Sequence, residues 1–183
     1  MTPRLSEEPI KAHSTKPTIT FDTSCIYSDN DEKAPLAIRE LEKLRAQSKI
    51  EIVKSDVVDT ELGTSNEELK QKSEKYSEDL GALVWGHSRW GHAVWAGSEI
   101  GYPFDEIRDI LFPGFGQMNQ ESQDRATRDA MHLATHLMHK RDFFVTRDEH
   151  HIIRMRKELE EKFGIIAVTP EECLTRLSDL LKG

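Results

Sequence analysis

The sequence is short of cysteine, of long apolar runs and of positive charge. Its two cysteines, Cys25 and Cys173, stand far apart without metal-ligand spacing. That fits a reducing compartment better than a disulfide framework, and both read as ordinary buried thiols. No apolar run approaches the ~18 residues that a bilayer span requires, and the N-terminus shows no signal-peptide pattern, so a soluble cytoplasmic protein with no membrane partner is expected. Acidic residues outnumber basic ones 33 to 25, for a net charge of −8. Such a surface repels a polyanion at long range and excludes coating of nucleic acid by the whole protein. It remains compatible with an enzyme that gathers carboxylates around cations and touches phosphate through one local basic patch.

What is present divides cleanly. A chain of 183 residues is about one domain's worth. MTPRLSEEPIKAHSTKP has spaced prolines and no periodicity, so residues 1–17 read as a mobile tail before a single domain over 18–183. TITF reads as a strand stopping at Asp22, and APLAIRELEKLRAQ as a helix with Pro35 in its first turn. IEIV is a second strand, and SDVVDTEL opens a helix with Ser55 as its cap. Residues 64–82 are polar and helix-prone. Trp85, Trp90 and Trp95 follow five apart among glycines, about 140° from one another on an ideal helix. They sit in a helical Trp-rich insertion around 64–123, as filler of the core or of an interface with a partner or a second copy rather than as a base-stacking platform. FDEIRDILF is a short helix stopped by Pro113 and Gly114, QMNQES a loop, and the next helix has Asp129 at its start. Strand FFVT, helix EHHIIRMRKELEEKF, strand GIIAV and a helix opened by Pro170 and Glu171 complete the chain.

Strands separated by helices call for parallel pairing with helices on both faces of the sheet. The expected fold is an α/β protein, a three-layer α/β/α sandwich with a parallel sheet of four or five strands, and its useful surface is the carboxyl edge. Four acidic residues belong there. Asp22 ends the first strand and Asp148 follows FFVT. Glu61, in the second turn of its helix, leans back toward the edge. Asp129 opens a helix antiparallel to FFVT. On a helical wheel Asp129, His132, His136 and Lys140 form a polar side opposite Ala130, Leu133, Ala134 and Leu137. An isolated aspartate in such a position is usually a cap or a solvated side chain. Four that converge repel one another unless cations offset the cost, and hard oxygen donors suit Mg²⁺ or Mn²⁺. His132 and His136 have the spacing of zinc ligands but lack the glutamate of HExxH and a third ligand, so they read as polar-face residues, with His132 beside the acidic set.

The segments TITFDTSCIYS, IVKSDVVDTELG and DAMHLATHLMHKRDFFVTRDEHH, in that order, resemble those of the PIN-domain ribonucleases, the broad group that includes the VapC-type toxins of toxin–antitoxin pairs. The resemblance covers residues 18–168. It maps the family's acidic set onto Asp22, Glu61, Asp129 and Asp148 as metal-holding catalytic residues, with Asp56 and Asp59 as rivals to Glu61. It maps the supporting hydroxyls onto Thr23 or Ser24 and Thr146. It implies a divalent-metal-dependent endoribonuclease that uses Mg²⁺ or Mn²⁺ on an RNA substrate, and an antitoxin as partner. The tail and the Trp-rich insertion depart from a minimal member. Arg147, His150 and Arg154 are the nearest candidates for holding RNA, with Arg156 pointing away. A noncatalytic scaffold of the same fold that binds protein or RNA, and a structure-selective DNA nuclease, are the alternatives.

Overall fold

A computed structural model describes residues 16–27, 34–62, 67–81 and 103–181. The three tryptophans and residues 1–15 lie outside that set. Five parallel strands, β1 (Thr18–Phe21), β2 (Glu51–Ser55), β3 (Ser77–Asp79), β4 (Phe143–Val145) and β5 (Ala167–Val168), form one sheet in the order β3-β2-β1-β4-β5. Successive strand residues face opposite sides. Ile19, Phe21, Ile52, Phe143 and Val145 enter one core with helices α1 (Leu36–Ala46) and α7 (Pro170–Leu180). Phe144 and Ala167 enter a second core with α4 (Phe104–Leu111), α5 (Gln120–Met138) and α6 (Arg154–Phe163). The result is an α/β/α sandwich. Each fully buried Phe or Ile of these cores stabilises it by roughly 1.5–3 kcal/mol. No helix among the described residues is long and apolar enough to cross a membrane.

From β1 the chain moves outward through β2 to β3, then returns to pair β4 with the other side of β1. The direction of winding therefore reverses between β1 and β4, and in an open parallel sheet the crevice outside the carboxyl ends at such a point is the natural place for a ligand.

Several local expectations are corrected. Residues 64–82 are not one helix: α3 (Glu67–Ser73) is followed by β3, whose polar sequence SED carries no apolar periodicity. That strand is held from outside its ladder, where Arg141 donates twice to Asp79 at 2.7 and 2.6 Å. Ser55 is the last residue of β2 and does not cap α2 (Val57–Leu62); its hydroxyl is engaged by His132 instead. Pro35 stands at the N-cap position rather than inside the first turn of α1.

Asp129 is the tenth of the 19 residues of α5, not its opening residue, because Asn119 caps the helix by accepting from the Ser122 backbone N–H. The nine residues before Asp129 extend the helix by about 14 Å. His132 and His136 are also not on a solvent face, since both are buried. The side of α5 that reads as polar faces the sheet, where His136 Nδ1 meets the Thr20 hydroxyl at 2.8 Å. Burial pushes the His136 imidazole down to about 3, so it is neutral. The helix after β4 begins with a π turn, Glu149–Ile153, in which the Ile153 N–H reaches back to the Asp148 carbonyl at 3.0 Å.

Candidate functional site

At the reversal between β1 and β4 lies a cavity of about 300 Å³ lined by Asp22, Thr23, Ser24, Glu61, Arg125, Asp129, Arg147, Asp148 and His150. All four acidic residues named from the sequence line it. Asp22 follows β1 directly; its backbone N–H extends the sheet by donating to Val145 O at 3.0 Å, and the chain then turns through a short 3-10 segment, Thr23–Cys25. Its Oδ2 accepts from Ser24 Oγ at 2.6 Å and from Thr146 Oγ1 at 2.8 Å. Thr146 does not reach the cavity; it is buried behind Asp22 and also accepts the Asp148 N–H at 3.0 Å. One buried hydroxyl thus ties the acid after β1 to the acid after β4.

Asp148 caps the π turn. Its Oδ1 accepts the backbone N–H groups of His150 and His151 at 3.0 Å each, and its Oδ2 lies 3.1 Å from His151 Nδ1. Burial would raise this carboxyl, but those donors outweigh it and hold it below the ordinary aspartate value. Glu61 is held still more fully, by the Thr23 hydroxyl, by His132 Nε2 at 3.1 Å and by Arg128 Nε at 3.3 Å. Burial again acts to raise it, and the hydrogen bond and charge of His132, helped by Thr23 and Arg128, bring it down to about 2. The rivals to Glu61 are occupied elsewhere. Asp59 takes Lys54 Nζ at 2.5 Å, and Asp56 accepts the Gly81 N–H at 3.1 Å.

Asp129 is the exception. Its Oδ2 is buried with no hydrogen-bond partner, and burial, followed by the charge of Asp22 and then those of Glu61 and Asp148, pushes its carboxyl up to about 7 despite the opposing charge of His132. A native fold seldom keeps a buried polar atom unsatisfied without reason.

The lining is of the donor type that hard cations take. It offers carboxylate oxygens and no thiolate, and one of them, Asp129 Oδ2, has no partner. Among the described residues no three His, Cys, Asp or Glu side chains stand together as a metal-holding group, and Glu61 and Asp148 are engaged by chain donors.

Of the three candidates for RNA, Arg147 and His150 line the cavity and Arg154 does not; it is exposed on α6. The sequence reading missed Arg125, which also lines it. Arg125 precedes Asp129 by four residues on α5, one turn away on the same face, a signal visible once the helix is known to start at Gln120. It also missed the depth of His132, whose Nδ1 is 2.6 Å from Ser55 Oγ. No protein-family model matches the chain, and no curated protein matches it in sequence. What this cavity does must be read from its residues.

Proposed function

We propose that the chain is a divalent-metal-dependent nuclease of the PIN type, cleaving phosphodiester bonds in RNA. The observation that carries this reading is the meeting of Asp22, Glu61, Asp129 and Asp148 in one cavity, with Asp129 Oδ2 buried and unpartnered. These four would hold one or two Mg²⁺ or Mn²⁺ ions, which when bound acidify water and offset the charge that builds on a phosphate under in-line attack. The protein's own residues supply the rest. Ser24 and Thr146 hold Asp22 in one orientation, and His132 and Thr23 keep Glu61 ionised and fixed. Arg125 and Arg147 place cations in an otherwise acidic cavity, where a phosphodiester needs them to approach. No nucleophilic side chain is required. An antitoxin partner follows from the resemblance alone, and the tryptophans that would meet it lie outside the described residues.

A noncatalytic scaffold is the second reading, favoured by one observation: Glu61 and Asp148 are satisfied by chain donors without any cation. An assay with single-stranded and structured RNA and DNA, in Mg²⁺, Mn²⁺ and EDTA, separates the readings. Metal-dependent RNA cleavage that Asp22→Asn abolishes is the expected result. Intact substrates under every condition would make the chain a scaffold, and cleavage confined to DNA would make it a DNA nuclease.

A further inference from the structure

A second cavity, of about 360 Å³, opens beside α1. Its described lining includes Tyr27, the cations Arg39, Lys43, Arg45 and Lys75, and a single carboxylate, Glu42. Among the described lining residues that is four cations to one carboxylate, with Glu40 beside Lys43 as a second, in a chain of net charge −8. Glu42 positions two of them: it lies 2.9 Å from Arg45 Nε and 3.0 Å from Lys75 Nζ, and both cations rest on the Tyr76 ring, 5.5 and 5.1 Å from its centroid. Arg39 and Lys43 are exposed and four residues apart on α1, hence on one face. Lys43 is held by Glu40 at 2.6 Å, an exposed pair that a phosphate can readily displace.

One residue pair links this cavity to the acidic one. Tyr27 forms its wall, and the Tyr27 hydroxyl is hydrogen-bonded by Arg147, whose guanidinium lies 5.7 Å from the ring centroid. Arg147 also lines the acidic cavity, where its backbone N–H donates to Ser24 Oγ at 3.1 Å. The two cavities are therefore joined through one tyrosine–arginine pair. Cations that track a backbone beside an aromatic face are the pattern by which proteins hold single-stranded nucleic acid, and the volume lies near the lower end of the range for small-ligand sites, about 300–1,000 Å³.

We propose that the basic cavity holds a nucleotide of a single-stranded polynucleotide next to the one in the acidic cavity, with Arg39 and Lys43 on its phosphate and Tyr27 along its base. This rests on the nuclease reading for what the acidic cavity does to the strand, but binding alone tests it. The probe is a fluorescent single-stranded RNA decanucleotide, titrated with the full chain in EDTA so that no cleavage occurs. Arg39→Ala/Lys43→Ala should bind about tenfold more weakly and lose ~0.7 from the salt slope, one neutralised phosphate's worth on a single strand. Tyr27→Leu should weaken binding roughly fivefold with the slope unchanged. The charge-matched Lys140→Asn/Lys162→Gln should bind like wild type. A DNA decanucleotide that shows the same dependence supports the site equally. Wild-type affinity in the Arg39/Lys43 variant, equal loss in the Lys140/Lys162 variant, no binding of either oligonucleotide, or equally tight binding of an acidic decapeptide would each overturn the proposal. A chain that binds through Arg39 and Lys43 yet cleaves nothing with Mg²⁺ or Mn²⁺ upholds this site and removes the nuclease reading. A chain that cleaves while the variant binds normally does the reverse.

Discussion

His132 stands between Ser55 and Glu61, its Nδ1 2.6 Å from the Ser55 hydroxyl and its Nε2 3.1 Å from Glu61 Oε2. Asp129 lies three residues earlier on the same helix, so α5 delivers one acid to the cavity and braces another from below. Burial would push the His132 imidazole down, but the hydrogen bond and charge of Glu61, with the charges of Asp22 and Asp129, hold it above its ordinary value. The inner wall of the site is thus a buried, charge-assisted pair.

Removing the imidazole should therefore cost stability. His132→Ala leaves a largely buried Glu61 carboxylate with Thr23 and Arg128 alone, and urea unfolding at neutral pH should show a loss of about 3 kcal/mol. The sign of the pH dependence follows from Glu61, whose folded value of about 2 lies below its ordinary 4.5. Its stabilisation is present above 4.5 and is lost as pH falls toward 2. The gap between variant and wild type should shrink across that window. A constant gap would mean the lost imidazole acted only through packing.

Asp129 has the opposite sign. Its folded value of about 7 lies above its ordinary 3.8, so the folded chain binds more protons than the unfolded one between those values and stability falls as pH rises through them. In EDTA, Asp129→Asn should be more stable than wild type well above pH 7, by at most about 4 kcal/mol, and equal to it below pH 4. Equal stability at high pH would show that Asp129 is not strained when ionised.

Much of this architecture was legible in the sequence because it rests on strong signals. TITF alternates and ends at an acid, and the placement of Asp22 and Asp148 after parallel strands follows from strand polarity alone. What was not legible depended on what covers a surface. The stripe of Asp129, His132 and His136 is polar by sequence, and only the packing of α5 between the sheet and α4 shows that it is buried and paired with Thr20, Ser55 and Glu61. β3 was hidden because a three-residue polar edge strand has no periodicity to read. Arg125 was hidden by placing the helix start too late.

Arg125 and Arg154 exchange roles relative to the sequence reading. Arg125 and Arg147 line the acidic cavity, whereas Arg154 lies outside it and Arg156 pairs with both Glu172 oxygens at 2.7 and 2.8 Å. Arg125→Ala should weaken binding of a single-stranded RNA and reduce its salt slope by about 0.7, one phosphate contact. Arg154→Ala should bind like wild type. Arg156→Ala should leave binding unchanged and cost at most about 0.5 kcal/mol of stability, since the ion pair it loses is exposed. Equal effects of Arg125→Ala and Arg154→Ala on RNA affinity would mean that net charge, not the cavity, governs binding.

A divalent cation and the Asp129 proton compete for the same oxygens. Near pH 6 most of the metal-free chain carries that proton, because burial and the charge of Asp22 hold the carboxyl at about 7. A cation that uses Asp129 must displace the proton, so its affinity rises with pH until the carboxyl is ionised. Mn²⁺ should therefore raise the thermal midpoint more near pH 8 than near pH 6, with a gain of about 2.7 kcal/mol at a hundredfold excess over Kd. Asp129→Asn should lose both most of that gain and its pH dependence. Asp22→Asn should also bind Mn²⁺ poorly, but its metal-free Asp129 should titrate lower, because the Asp22 charge that raises it is gone. A Mn²⁺ shift that survives intact in Asp129→Asn, equal at both pH values, would place the cation away from this cavity.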